Sequence, residues 1–289
     1  MAGYDIQTLD TLLTVVSFVV GAMVGSFLNV CVYRLPKGES IVHPRSRCPK
    51  CEKSIAWFDN IPMASWLLLG AKCRHCKTPI SWQYPLVEAI TAALFAGVYV
   101  RFGFTIASPI YMVLAASLVL VTFVDLTDWT IPNEVTFPGI PLGLVCALVA
   151  MFVPGTNLMV LGPPNVPIFS ALLGVLIGGG ILYLLDKGAL LVLGKRGMGF
   201  GDVKLIAMLG AFFGWPAVLM IIAVAAFSGA IVGYGLIMYQ RSKGAEESAH
   251  YIPFGPYLSF AGIVVMFFGQ YFYTWWTASV GLDIAQQAL

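Results

Sequence analysis

The chain has 289 residues, of which 59% are hydrophobic and only 10% are charged, and its mean hydropathy is +0.86. This composition excludes an ordinary soluble domain and indicates a protein that crosses a membrane several times. The net charge of +2 gives no sign of a nucleic-acid partner, and none is predicted.

Apolar windows long enough to cross a hydrocarbon core of about 30 Å are predicted as membrane helices. Six of them span 11–33, 85–104, 109–127, 135–153, 167–186 and 252–277. The stretch 205–239 also lacks charged residues, but as one helix it would extend about 52 Å, which is too long for a single span. Gly214-Trp215-Pro216 provides a break within it, because proline suits the start of a new helix. The sequence therefore predicts an all-α polytopic membrane protein with about eight transmembrane helices.

The basic residues predict the orientation of this path. Of the 16 Lys and Arg residues, 15 fall on one side of an eight-span path and only Arg101 falls on the other. The positive-inside rule makes the basic side cytoplasmic and places both termini outside, with Asp5 and Asp283. A polar, acidic decapeptide precedes the first helix without a cleavage pattern, so we expect an anchor rather than a removed signal peptide.

One sizeable polar segment, residues 35–84, separates the first two spans and contains the pattern Cys48-x2-Cys51-x21-Cys73-x2-Cys76. Paired cysteines at this spacing are typical of a tetrahedral zinc site. Two disulfides are the alternative, but they would not persist in a reducing cytoplasm. Four thiolates fill the coordination sphere, so the zinc is expected to be structural. The predicted domains are an anchor (1–34), a cytoplasmic zinc-binding segment (35–84) and a transmembrane core (85–289).

Two aspartates, Asp125 and Asp202, are predicted to lie at one depth near the cytoplasmic face. Asp125 follows Pro109, the expected outer start of its helix, by sixteen residues, or about 24 Å. Asp202 precedes Trp215, at the expected outer turn, by thirteen residues, or about 20 Å. Carboxylates at membrane depth are costly and indicate function.

Two carboxylates that meet in a semi-apolar cavity cannot easily both ionise, so they would share one proton. That state suits peptide hydrolysis, because the ionised member can take a proton from water while the neutral member donates to the scissile carbonyl. The alternative for Asp202 is an ion pair with Lys204. Asp128, one helical turn beyond Asp125, is a reserve candidate.

The glycines Gly197, Gly199 and Gly201 before Asp202 allow the chain to turn and a substrate backbone to come close. They are not a phosphate-binding loop, because no Lys-Ser or Lys-Thr follows and no strand precedes them.

Seven stretches carry a resemblance to a known family. They are GSFLNVCVYRLP (25–36), PRSRCPKC (44–51), WFDNIPMASWLLL (57–69), KCRHCKTPISWQYPLVE (72–88), FVDLTDWTIPNEVT (123–136), GMGFGDVKLIAMLGAFFGW (197–215) and IPFGPYLSF (252–260). Over nearly its whole length the chain resembles the bacterial type IV prepilin peptidases, also called prepilin leader peptidase/N-methyltransferases, which are GxGD-type aspartic proteases.

The resemblance implies that Asp125 and Asp202 are the catalytic aspartates and that the four cysteines named above bind zinc. The implied substrates are type IV prepilins and type II secretion pseudopilins, whose basic leader is removed at the cytoplasmic face of the bacterial inner membrane. The implied second activity is N-methylation of the new N-terminus with S-adenosylmethionine. The family often has glycine where this chain has Ala71, before Lys72, and this departure bears on methylation more than on cleavage.

Two interpretations from other functional classes are a proton-coupled transporter that uses the aspartates as a relay, and a zinc-bearing scaffold of a pilus or secretion machine. A transporter would often show internal repeats or paired broken helices, and the sequence shows only one interrupted pair. A scaffold would leave the two intramembrane carboxylates unexplained.

Overall fold

The computed structural model describes residues 6–153, 155–156, 158–163, 166–194, 199–242 and 253–280. Predictions that concern Asp5, Gly197 and Asp283 lie outside these ranges. The helices of the described residues are α1 (Ile6–Arg34), α2 (Ala64–Leu68), α3 (Gln83–Phe102), α4 (Ala107–Asp128), α5 (Asn133–Phe152), α6 (Pro167–Leu193), α7 (Phe200–Phe213), α8 (Trp215–Ser242) and α9 (Gly255–Ser279). Two short 3₁₀ helices, Leu35–Lys37 and Trp57–Asn60, and two isolated β-bridges accompany them in those ranges. The prediction of an all-α polytopic membrane protein is confirmed.

Seven helices, α1, α3, α4, α5, α6, α8 and α9, are long and apolar enough to cross a membrane. The predicted break in the stretch 205–239 is confirmed, because α7 ends at Phe213 and α8 begins at Trp215. Gly214 between them has a φ of +82°, a conformation that glycine adopts without strain. α7 has 14 residues and extends only about 21 Å.

The predicted end of the window at residue 186 is wrong, because α6 continues to Leu193. Asp186 and Lys187 lowered the hydropathy and ended the window, yet they lie within the helix. The apolar run that follows them continues the helix for about another two turns.

Close-range contacts divide the structure into two compact units, residues 1–124 and 125–289. In the first unit, α1 and α3 pack at glycines. A Cβ at Gly21 would lie 2.8 Å from Ala92 Cα, and a Cβ at Gly25 would lie 2.7 Å from Glu88 Cα. Small residues at such contacts let two helix backbones approach within a membrane.

α7 is the central helix of the second unit. Every residue from Asp202 to Phe213 except Lys204 is buried. α7 crosses α6 at a pair of glycines, since a Cβ at Gly174 would lie 2.8 Å from the Gly210 carbonyl carbon. A helix that is apolar on nearly all sides belongs in the middle of a bundle.

The connection between α5 and α6 closes the C-terminal end of α7. The Leu161 N–H donates to the Phe213 carbonyl at 2.8 Å, and the Ser170 hydroxyl donates to the Leu161 carbonyl at 2.5 Å. Leu161 is 1% exposed. These bonds satisfy a backbone carbonyl that the helix end leaves without an intrahelical partner.

Candidate active site and metal centre

Asp125 lies in the last turn of α4 and is 6% exposed. Its Oδ2 accepts a hydrogen bond of 3.0 Å from the N–H of Gly255, the first residue of α9. The first N–H groups of a helix have no intrahelical acceptor, so a carboxylate is a favourable partner for them. The start of α9 therefore fixes one oxygen of Asp125.

Asp202 lies in the first turn of α7 and is 7% exposed. Its Oδ2 accepts a hydrogen bond of 3.2 Å from the N–H of Gly199, the residue that precedes the helix. Its Oδ1 is buried and has no hydrogen-bond partner among the described residues. A buried carboxylate oxygen in this state is costly, and a bound polar group would relieve it.

Ile131 connects the surroundings of the two aspartates. A Cβ at Gly201 would lie 2.9 Å from Ile131 Cβ, and a Cβ at Gly255 would lie 3.2 Å from Ile131 Cδ1. Ile131 therefore lies against the residue next to Asp202 and against the residue whose N–H binds Asp125. The structure therefore brings the two predicted aspartates together within one unit, on the last turn of α4 and the first turn of α7.

The structure does not show the alternative ion pair between Lys204 and Asp202. The Lys204 ammonium instead donates to Asn133 Oδ1 on α5. It also lies 5.1 Å from the centre of the Phe137 ring. Residues two apart on a helix point to different sides, which explains why Lys204 and Asp202 do not meet.

The reserve candidate, Asp128, is exposed, and its Oδ2 accepts a hydrogen bond of 2.8 Å from the Thr127 hydroxyl. It therefore differs from the two buried aspartates, although it is only one turn from Asp125.

Sequence reasoning did not single out Gly255 or Ile131 as site residues. Gly255 lies 130 positions from Asp125, and no periodicity joins residues at that separation. The only available signal was the Gly255-Pro256 dipeptide, because proline at the first turn marks a helix start whose N–H groups need acceptors.

The four cysteines of the segment 35–84 form one cluster, in which all four sulfurs lie within 4.8 Å of one another. Cys48 Sγ and Cys76 Sγ are 3.7 Å apart. Ligands at about 2.3 Å from a tetrahedral zinc would be about 3.8 Å apart, whereas a disulfide requires about 2.05 Å. All four cysteines are free thiols, so the donor set fits zinc rather than two disulfides.

The two cysteine pairs occupy equivalent turns. The Cys48 N–H donates to the Lys53 carbonyl at 3.0 Å, and the Cys73 N–H donates to the Thr78 carbonyl at 2.8 Å. Hydrogen bonding to Thr78 lowers the pKa of the Cys76 thiol to about 6. This lowered pKa favours the thiolate of Cys76, which is the form that binds metal. Despite its backbone hydrogen bond with Lys53, the Cys51 thiol has its pKa raised to about 11 by desolvation and by the neighbouring Cys48 and Cys76.

The chain is similar to known proteins over most of its length. The Bacterial Peptidase A24 N-terminal domain matches residues 19–102, and the Type IV leader peptidase family matches residues 112–234. A Myxococcus xanthus protein is 40% identical over 81% of this chain and 66% of its own length. A Pseudomonas aeruginosa protein is 35% identical over 88% of this chain and 90% of its own length. An Aeromonas hydrophila protein is 34% identical over 90% of this chain and 92% of its own length. All three are named prepilin leader peptidase/N-methyltransferase.

This chain belongs to the type IV leader peptidase family. The predicted resemblance is confirmed, and so is the prediction that the chain is an enzyme of this peptidase family. No solved structure matches the chain. The A24 N-terminal domain match covers all four clustered cysteines, and the leader peptidase match covers both buried aspartates.

Proposed function

We propose that this chain is a membrane-embedded aspartic endopeptidase in which Asp125 and Asp202 are the catalytic pair. The observation that supports it best is the arrangement of two buried carboxylates on α4 and α7. Each has one oxygen bound to a backbone N–H, from Gly255 and Gly199 respectively. The second Asp202 oxygen lacks a partner among the described residues, which suits a group that must bind a water or a substrate carbonyl.

In the proposed reaction, the pair shares one proton at the start of the cycle. The ionised carboxylate takes a proton from water, and the oxygen of that water bonds to the scissile carbonyl carbon. The protonated carboxyl donates its proton to the carbonyl oxygen as the tetrahedral intermediate forms. Breakdown of this intermediate cleaves the C–N bond and moves a proton to the leaving amine, so that the products are a carboxylic acid and a new N-terminal amine.

The proposed substrates are type IV prepilins, as the family and the names of its relatives suggest, or type II secretion pseudopilins, as the sequence resemblance implies. Such a substrate has a basic leader followed by a hydrophobic helix that stays in the membrane. Asp125 at the end of α4 and Asp202 at the start of α7 would meet its scissile bond at the edge of the bilayer.

We place the enzyme in the bacterial inner membrane with its active site towards the cytoplasm, because most Lys and Arg residues fall on that side of the path. In this arrangement α7 is an eighth, shortened span. Its 14 residues begin at Phe200, two residues before Asp202, so Asp202 and the non-helical Gly199 would lie within the membrane thickness. Irregular backbone at that depth requires a protein-lined or water-filled site, as a peptidase needs.

We also propose that the chain N-methylates the new terminus with S-adenosylmethionine, as the full names of its relatives suggest. Cys48, Cys51, Cys73 and Cys76 would hold a structural zinc in the segment 35–84. This segment has little core of its own, so the metal would supply much of its stability.

The peptidase proposal is tested by co-expressing the enzyme with a candidate prepilin and determining the mature N-terminus by mass spectrometry. Asp202→Asn and Asp125→Asn should each abolish leader removal while membrane insertion and zinc content are retained. Asp128→Asn is the matched control, because Asp128 is exposed and one turn from the pair. Processing that persists in Asp202→Asn would contradict the assignment.

The methylation proposal is tested separately with an already cleaved substrate and a methyl-labelled donor. Transfer of label to the N-terminal amine is the expected result. An active peptidase that transfers no label would reduce the function to cleavage alone.

A further inference from the structure

The segment between α1 and α3 exposes several large apolar side chains, one of which, Phe58, has the Arg74 guanidinium 5.5 Å from the centre of its ring. Trp57, Leu67 and Leu68 are 81%, 70% and 86% exposed. Phe58 and Ile61 nearby are 48% and 47% exposed. Large apolar side chains grouped on a polar segment mark an interaction surface rather than an ordinary solvated one. We call these five residues the apolar face.

The apolar face belongs to one small folded piece, residues 57–69. The Trp57 and Phe58 rings pack edge to face, with centroids 5.8 Å apart. The buried Ser65 of α2 joins the two halves of this piece, since its hydroxyl donates to the Phe58 carbonyl at 3.0 Å and accepts the Ile61 N–H at 3.0 Å. Leu67 and Leu68 are on the same short helix as Ser65.

A buried carboxylate holds this piece against the membrane helices. Glu88 of α3 is 6% exposed, and its Oε2 accepts the Met63 N–H at 2.7 Å. Met63 has a φ of +56°, which is strained for a residue with a side chain, so strong local bonds are needed to maintain it. A second bond of 3.2 Å joins the Trp66 indole N–H to the Ile80 carbonyl, just before α3.

The position of Glu88 along α3 sets the depth of the piece. α3 is a candidate span that begins at Gln83, and Glu88 lies five residues further on, or about 7.5 Å inside the start of the helix. If α3 enters the membrane at its first residue, the bond between Met63 and Glu88 places residues 57–69 at the boundary between headgroups and acyl chains. Interfacial amphipathic helices bury their apolar side about 5–10 Å into this boundary.

The charge of the whole segment 35–84 fits an anionic surface. It contains eight Lys and Arg residues against three Asp and Glu residues, a net charge of +5, which the −2 charge of a zinc held by four thiolates would lower to about +3. One of the acids, Asp59, is already paired with Arg74 at 2.6 Å. Basic segments next to a membrane helix are attracted to anionic lipid headgroups.

We propose that the apolar face docks the segment 35–84 onto the lipid of the membrane leaflet that borders it, with the basic residues of the segment on anionic headgroups. Trp57, Leu67 and Leu68 enter the acyl region. Docking fixes the four-cysteine cluster close to the bilayer surface, on the side where α1 ends and α3 begins. This inference does not depend on the peptidase activity, and its test does not measure cleavage.

The test uses the full chain in lipid nanodiscs, with a photoreactive benzoylphenylalanine placed at position 68 or, as the matched control, at position 54. Ser54 is exposed in the same segment, carries no charge and lies outside the apolar face. After irradiation, mass spectrometry should find lipid adducts at position 68 and about ten-fold fewer at position 54, because a side chain inserted at the acyl boundary contacts lipid whereas a solvated one does not. Adducts at position 68 mainly with protein, whether a second copy or another chain, would overturn the proposal.

A second measurement tests whether the lipid charge contributes to docking. Amide hydrogen exchange of residues 64–69 should be slower in phosphatidylglycerol nanodiscs than in phosphatidylcholine nanodiscs, and added salt should reduce the difference. Leu68→Glu should speed this exchange about ten-fold while zinc content stays the same, because Leu68 contributes exposed rather than buried area to the protein. Exchange that depends on neither lipid charge nor Leu68→Glu would refute docking.

Discussion

Gly255→Ala is a sensitive test of the geometry around Asp125. A Cβ at this position would lie 2.5 Å from Asp125 Oδ2 and 3.1 Å from its Cγ, well inside van der Waals contact. Ile131 Cδ1, at 3.2 Å, closes another side, so the carboxylate has to move away from the Gly255 N–H. Gly255 does not have a positive φ, so the helix start itself tolerates alanine.

The displaced carboxylate loses its 3.0 Å hydrogen bond to the Gly255 N–H. A hydrogen bond to a charged group contributes about 1.5–3 kcal/mol. If the bond positions Asp125 in the transition state, its loss lowers kcat/KM about 10- to 150-fold. The assay is cleavage of a purified prepilin by the purified enzyme under conditions where the rate is proportional to kcat/KM.

Gly180→Ala is the matched control, because a Cβ at Gly180 of α6 meets no atom within 4 Å. It should cleave at the wild-type rate, and both variants should insert and bind zinc alike. Wild-type kcat/KM in Gly255→Ala would refute the reasoning that the N–H of α9 positions a catalytic Asp125.

Three further outcomes concern stability and metal content. Gly174→Ala should lower the melting temperature, because its Cβ would overlap the Gly210 carbonyl at a cost of about 1–3 kcal/mol. An unchanged melting temperature would contradict the close crossing of α6 and α7. Ser170→Ala should destabilise the protein by about 1–3 kcal/mol in thermal unfolding, since it leaves the buried Leu161 carbonyl without its hydroxyl donor. Elemental analysis should find about one zinc per chain, and a strong chelator should lower the melting temperature; metal-free protein with two disulfides would contradict the zinc site.

Much of the helical framework could be predicted from the sequence, because a membrane span is a long apolar run whose length the bilayer sets. The same arithmetic placed Asp125 and Asp202 at one level, and the structure brings them together. The predicted end of the span at residue 186 was wrong for a physical reason, since α6 continues to Leu193. A charged pair inside a long helix can reach the interface with its side chains, so Asp186 and Lys187 do not end the backbone helix.

The surroundings of the aspartates could not be predicted in this way. Lys204 bonds to Asn133 rather than Asp202 because its side chain points to a different side of α7. The Gly255 N–H bonds to Asp125 because helix packing brings together two positions that are far apart in the sequence. Hydropathy reports how deep a residue lies but not which neighbour it faces, so such partners become visible only when the helices are packed.

The connection at Leu161 gives α7 a fixed axial position. Because the Leu161 N–H bonds to the Phe213 carbonyl at the C-terminal end of this 14-residue helix, it sets the axial position of Asp202 in the first turn, about 17 Å away. A displacement of this connection would therefore move α7 along its axis and shift the Asp202 carboxylate without any direct contact to it. If Asp202 is catalytic as proposed, a ligand that displaces the connection would inhibit cleavage without entering the active site.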